Sequence, residues 1–288
     1  MRKEKIQAFL ALFTATFFWA SAYIFVKQLL DNVSPYVMLV VRFGLASLIL
    51  IAIYNKRLLQ INREILKAGI IMGVFLFGEF FTFTVGLQYT TTSRSSLIIA
   101  SYIIILPFAY LLIMRKRPSL SDIIVSIICM IGVFFIVGND LGSFHLGDVY
   151  CILCALSYAL YIVISSKYSK RYDSGILNVL QVSTTAILSI VILLFVKDHR
   201  FYVTFRDGFQ LIYLIILCTT LPFFLILYGM KHISATTSGI LLSFESVMAA
   251  FMGIMVLHEP FTLNLFIGGT IIILSFILSE LLPKILKR

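Results

Sequence analysis

LLSFESVMAAFMGIMVLHEP (residues 241–260) is an apolar run with one carboxylate, Glu245, set inside it. The run does not alternate between polar and apolar residues, and others like it recur along the whole chain. Of 288 residues, 60% are hydrophobic and 12% charged, with a mean hydropathy of +1.04. Soluble domains carry about 25% charged residues, and a globule of this size could not hide so much apolar surface from water. The alternative solvent is lipid, which admits only helices of about 20 apolar residues or a closed barrel. Long continuous runs select helices, so the sequence predicts an all-α integral membrane protein.

The formal net charge of +10 raises the question of an acidic partner. The basic residues, however, punctuate the hydrophobic runs and form no tract with interleaved aromatics, which argues against nucleic acid. Cys129, Cys151, Cys154 and Cys218 all fall within the apolar runs. Cys151 and Cys154 form a CxxC without a second ligand pair, so helix packing accounts for them better than a metal or redox site. MRKEK followed by Ile6–Leu30 is too long for a typical signal-peptide core and lacks an obvious small-residue cleavage site, so a retained first helix is expected.

Hydropathy marks ten spans: 6–30, 35–54, 66–88, 93–114, 120–138, 147–166, 174–196, 209–230, 235–257 and 262–282. With the N-terminus inside, 17 of the 23 Lys and Arg residues lie on the cytoplasmic side and three (Lys197, Arg200, Arg206) outside. Such a bias orients a membrane protein and predicts a multi-pass cell-membrane protein with both termini cytoplasmic.

Ten spans divide into five and five, and an odd number per half inverts one half relative to the other. The expected units are residues 1–142 and 143–288, with NDLGSFHL (139–146) at the seam. Laying 86–108 on 229–251 matches Gly86, Ser95 and Phe108 with Gly229, Ser238 and Phe251. FFWASAYIFVK (17–27) and ALSYALYIVIS (155–165) share a pattern that sets Trp19 opposite Tyr158. Inverted repeats are a transporter architecture with substrate bound near the midplane.

Four elements occur in a characteristic order: FFWASAYIFVK, the P-x₆-R-F opening PYVMLVVRFG (35–44), the junction GLQYTTTS (86–93), and the opening stretch with Glu245, Gly253, Leu257 and Glu259. Through them the chain resembles, over essentially its whole length, the EamA-type branch of the drug/metabolite transporter superfamily. It departs from that pattern at Ser246, where proline is frequent, and at Lys116, where the symmetry-related glutamate would stand. The resemblance implies export of amino acids or related metabolites, with cationic drugs second.

Glu245 lies about 15 Å into its helix from Ala235, and Glu79 about 18 Å from Lys67, both near the centre of a ~30 Å core. A charge at that depth costs at least ~2.5 kcal/mol, so a functional role is the first reading. The competing reading is a protonated or hydrogen-bonded structural carboxylate. Ser238, Glu245 and Met252 recur every seven residues, a stripe suited to a cavity. Arg42 lies about 10 Å inside from Pro35, placed to bind a substrate carboxylate or to pair with an acid such as Glu259. Lys27, a turn from its helix end, can snorkel to the interface, and Arg94 reads as a mouth residue or interface anchor. Trp19 and Tyr23, with Tyr158 and Tyr161, could line one chamber or simply pack. Pro107 and Pro222 free mid-helix carbonyls and mark kinks or hinges.

These residues define the expected substrate-binding set as Trp19, Tyr23, Arg42, Glu79, Tyr158, Tyr161 and Glu245. An enzyme would need a catalytic constellation at depth. Instead, His145, His199, His232 and His258 lie in loops or at helix ends, and the chain has no HExxH or Gly-x-Ser-x-Gly. No cofactor, metal or catalytic residue is expected. The expected function is secondary transport of a small polar metabolite, such as an amino acid, outward by alternating access. A cationic amine carrier and a passive channel are the alternatives. The expected partners are a small-molecule substrate and the lipid bilayer, with no nucleic acid, and a homodimer is left open.

Overall fold

The computed structural model describes residues 2–115, 117, 119–138, 145–233 and 235–286. The expected seam between 142 and 143, and Lys116, lie outside the described residues. The helices are α1 (Arg2–Leu29), α2 (Pro35–Tyr54), α3 (Arg63–Gly86), α4 (Thr92–Ile99), α5 (Tyr102–Met114) and α6 (Leu120–Gly138). They continue with α7 (Leu146–Ser169), α8 (Ser174–Leu193), α9 (Phe205–Ile215), α10 (Leu221–His232), α11 (Ala235–Leu257) and α12 (Leu263–Leu286). α4 and α5 share one pass, as do α9 and α10, which leaves ten helical segments; among the described residues eight are long and apolar enough to cross a membrane, and α6 and α12 hold shorter apolar stretches. Side chains such as Leu48, Leu112, Phe134 and Ile187 stand exposed on the outside of the bundle, where lipid is their solvent.

Helix starts follow local chemistry. Ser34 accepts from the Val37 N–H ahead of Pro35, Asn62 from Ile65, Thr91 from Arg94, and Asp173 from Gly175 and Ile176. Each cap satisfies amides that lipid could not. Thr204 with Asp207, and His145 with Asp148, form reciprocal capping boxes at α9 and α7.

Two passes differ from the continuous spans expected at 93–114 and 209–230. Between α4 and α5, Ser101 N–H bonds Ile98 and Ile104 N–H bonds Ser101, a local tightening to three-residue bonding. The break lies there and not at Pro107, which α5 runs through. Between α9 and α10 the helix widens into a π turn, Ile216–Thr220. The Thr219 and Thr220 hydroxyls bond the carbonyls of Leu214 and Ile215, five residues back. Pro222 sits two residues past this turn and has no N–H, so the Cys218 carbonyl lacks its usual intrahelical donor.

The packing has an approximate two-fold pattern. α3 packs on α7 as α10 packs on α1, and α1 packs on α11 as α4 and α5 pack on α7. α2 with α8, α6 with α12 and α4 with α11 are equivalent helices meeting across the axis. This is the arrangement of two inverted five-helix repeats. The seam between α3 and α8 is close: a Cβ at Gly73 would stand 2.4 Å from Thr184 Cβ and 2.7 Å from the Gln181 carbonyl oxygen.

Gly73→Val is therefore expected to destabilise the fold by roughly 1–3 kcal/mol or more, the cost of overpacking a tight core. Thermal unfolding in detergent measures it. Gly44→Ala, which meets nothing within 4 Å, should leave the transition unmoved.

Candidate functional site

α1, α2, α3, α4, α7 and α11 bring side chains to one central cavity. Trp19, Tyr23, Arg42, Glu79, Tyr158 and Glu245 all line it. Tyr161 does not. It is buried on the next turn of α7, where its hydroxyl donates to Gln181 Oε1 at 3.1 Å. The cavity volume is about 30 Å³, room for two or three water molecules at most at about 10–15 Å³ each. Any larger solute requires the helices to part.

Arg42 is held by the freed backbone at the π turn. Its Nε donates to Thr219 Oγ1 at 2.7 Å and its Nη2 to the Cys218 carbonyl at 3.0 Å. The same carbonyl accepts the Trp19 indole N–H at 3.0 Å. Of the two roles open to Arg42 in the sequence, pairing with Glu259 does not occur, because Glu259 is engaged by Thr92 and Ser93. The guanidinium carbon lies 4.7 Å from the Phe80 ring centroid, and no protein acceptor meets Nη1 among the described residues. Arg42 is 1% exposed, Glu79 6% and Glu245 8%, so two carboxylates and one guanidinium share a nearly dry site. Glu245 faces the Tyr23 hydroxyl. Glu79 Oε2 and the Tyr158 hydroxyl have no hydrogen-bond partner among the described residues.

Aromatic rings wall the site. Trp19 contacts Phe223 at 5.3 Å and Tyr158 at 6.0 Å between centroids. Tyr158 lies 4.5 Å from Tyr102, whose hydroxyl donates to the Gly239 carbonyl at 2.5 Å. Edge-to-face contacts of this kind fix ring orientation.

The bundle end away from the chain termini is closed by polar ties centred on the start of α4. Glu259 accepts the Thr92 and Ser93 N–H groups at 2.6 and 2.8 Å and the Ser93 hydroxyl at 2.5 Å. A carboxylate is favoured at a helix N-terminus, where unpaired N–H groups converge. His258, at φ 53°, turns the chain back so that Glu259 reaches them. Gly253 leaves the room, since a Cβ there would stand 2.7 Å from Glu259 Oε2. Lys27 does not snorkel: its ammonium donates to the Leu87 and Thr90 carbonyls at 2.7 and 2.8 Å, where the end of α3 leaves carbonyls without helical partners. Arg94 is not a plain anchor either. It makes a two-pronged ion pair with the fully buried Asp148 of α7, Nε to Oδ1 at 2.8 Å and Nη2 to Oδ2 at 2.9 Å. Asp207 ties α9 to Asn32 at this end.

Several of these partners were missed from the sequence. Only the Cys218 carbonyl had a usable signal, because a proline at 222 identifies the acceptor four residues earlier. The Arg94–Asp148 and Glu259–Ser93 pairs join positions that the linear sequence does not connect.

The model of the EamA-like transporter family matches residues 6–138 and again 145–281. The chain is 25% identical over 286 residues to an uncharacterized transporter of Archaeoglobus fulgidus, covering 96% of this chain and 87% of that one. It is 22% identical to the uncharacterized transporter YoaV of Bacillus subtilis, covering 93% and 94%. A solved crystal structure superposes with a TM-score of 0.76 at 18% identity, covering 98% of this chain and 99% of the other.

Asp148→Asn would take from Arg94 its two-pronged carboxylate partner. Breaking a buried pair from one side costs about 3–5 kcal/mol, which should appear as a lower unfolding midpoint. The double variant R94M/D148L is expected to recover most of that loss.

Proposed function

The chain belongs to the EamA-like transporter family, and from that premise we propose that it exports a small polar metabolite, such as an amino acid, by alternating access through the central cavity. The observation that carries the reading is the pairing of opposite charges in one buried site. Glu79 Oε2 is a partnerless acceptor, and Arg42 has an unused Nη1. An ammonium group matches the first and a carboxylate the second, each as a charge-assisted hydrogen bond. Trp19, Tyr23 and Tyr158 would hold the remainder of the solute, and Glu245 would share the amine. Tyr161 would act on the route to the site and not within it.

The cavity is too small for such a solute in this arrangement. That supports a cycle in which the site opens to one side at a time, with the two five-helix units, divided near residue 142, moving against each other. Lysine and arginine placement supports a cell-membrane location with the termini in the cytoplasm. A second reading is efflux of a cationic amine. It draws on two carboxylates facing one guanidinium, and on aromatic faces that attract cations.

Transport assays in proteoliposomes, each containing one candidate metabolite, test the reading. Candidates come from a thermal-shift screen, since a solute bound to the folded state raises its apparent stability. Trp19→Ala and Tyr158→Ala should each cut initial flux by about tenfold, roughly 1.4 kcal/mol, at near-normal membrane abundance. Parental flux in both would make those rings packing only. Glu245→Gln keeps shape and hydrogen bonding but removes titration, so it should fold and bind yet lose its response to an imposed pH gradient. If flux and pH response survive, the carboxylate is structural. A reporter fused after Arg288 should be active only in the cytoplasm; activity outside would reverse the orientation.

A further inference from the structure

Several buried hydroxyls in this bundle close a bond onto their own helix. Thr16 bonds the Leu12 carbonyl, Ser96 that of Ser93, Ser189 that of Thr185 and Ser275 that of Ile272. This is the usual way for a serine or threonine to be satisfied within a helix. Seven buried serine and threonine hydroxyls have no partner among the described residues, and three of them lie together in the lower half of α7. Ser165, Ser166 and Ser169 are 0%, 1% and 0% exposed, and none of their hydroxyls has a partner among the described residues. Ser165 sits against the Tyr161 hydroxyl without completing a bond. Buried groups of this kind are seldom left unpaired unless water or a ligand meets them.

Their placement is ordered. Cys154 and Tyr158 line the cavity, and Tyr161, Ser165 and Ser169 follow at spacings of three or four residues, which keeps all five on one helical face. α8 supplies further polar groups beside that face. Tyr161 donates to Gln181, Gln181 Nε2 donates to Asn178 Oδ1 at 3.1 Å, and Asn178 Nδ2 reaches the Thr220 carbonyl at 3.4 Å. Asn178 and Gln181 are both 0% exposed.

We propose that this face of α7, from Tyr158 to Ser169 with Asn178 and Gln181 beside it, is the wall of the route from the cavity to the bundle end that carries the termini. The route is wetted when that end opens, and it serves solutes with both hydrogen-bond donors and acceptors. Hydroxyls and amides can give or take a hydrogen bond and carry no fixed charge. A polar solute is therefore met at each turn of the helix without being trapped, as passage requires. The inference rests on the transport reading but concerns hydration of a place, so it can be tested separately.

S165C and S169C, reconstituted in liposomes, would be treated with a small water-soluble methanethiosulfonate from the terminus-bearing side. Their labelling would be measured against the parent, whose own buried thiols set the background. S275C, at a buried serine satisfied by its own helix, is the dry control. Both route positions should label at least about tenfold faster than S275C, since thiol reaction needs exposure to water. Rates equal to S275C would overturn the proposal. If the cysteine variants do not fold, hydroxyl-radical footprinting of the unsubstituted protein replaces them. Tyr161 should be oxidised well above the buried Phe43, and equal protection would overturn the proposal. Labelling without flux of any solute supports the wetted route and rejects the transport reading. Flux with both thiols inert does the reverse.

Discussion

Lipid donates and accepts no hydrogen bonds, and the consequences of that constraint run through the whole molecule. A helix meets it residue by residue, and each interruption must be met by a side chain from elsewhere. At the π turn, Thr219 and Thr220 hydroxyls satisfy two carbonyls of their own helix, while Trp19 and Arg42 from two other helices take the carbonyl that Pro222 leaves open. The defect in α9–α10 thereby becomes the anchor for the one guanidinium of the site. Arg42 can be buried because a helix was broken to receive it.

The two ends of the bundle are held by different means. Away from the termini, the loop before α4 is bound by Lys27 of α1, and the start of α4 by Asp148 through Arg94 and by Glu259 through its amides. Three separate stretches of chain thus meet a fourth in one place. Toward the termini, a small apolar cluster of Met72, Ile164, Leu177 and Leu227 packs between α3, α7, α8 and α10, with an exposed Arg57–Asp173 pair at the surface. Exposed pairs contribute about 0–1 kcal/mol. Among the described residues the apolar closure carries no comparable set of ion pairs, so it can part without separating buried charges.

Fold and site were not equally legible in the sequence. Length and hydropathy marked ten passes because continuous apolar runs leave few alternatives in lipid. Depth along a helix singled out Arg42, Glu79 and Glu245 because charges at the midplane are costly. Aromatic spacing brought Trp19, Tyr23 and Tyr158 to the cavity, but the same logic placed Tyr161 there too. One turn of helix rotates a side chain towards a different neighbour, and no spacing rule reveals which neighbour that is. The partners of Lys27, Arg94 and Glu259 were hidden for a related reason. Each ends on a partner fixed by loop geometry, and loop geometry leaves little trace in hydropathy.

The Arg42 anchor also bears on how the chain is made. Arg42 enters the membrane with α2, while its acceptors, Cys218 and Thr219, belong to a segment synthesised far later. Until then the guanidinium sits at depth without its final partners, at roughly 2.5–3.5 kcal/mol on insertion scales. The early half is thus inserted in a state that only the late half relieves. Biosynthesis is completed by an act of docking, and a ribosome stalled near the midpoint would leave a charged helix for quality control to find.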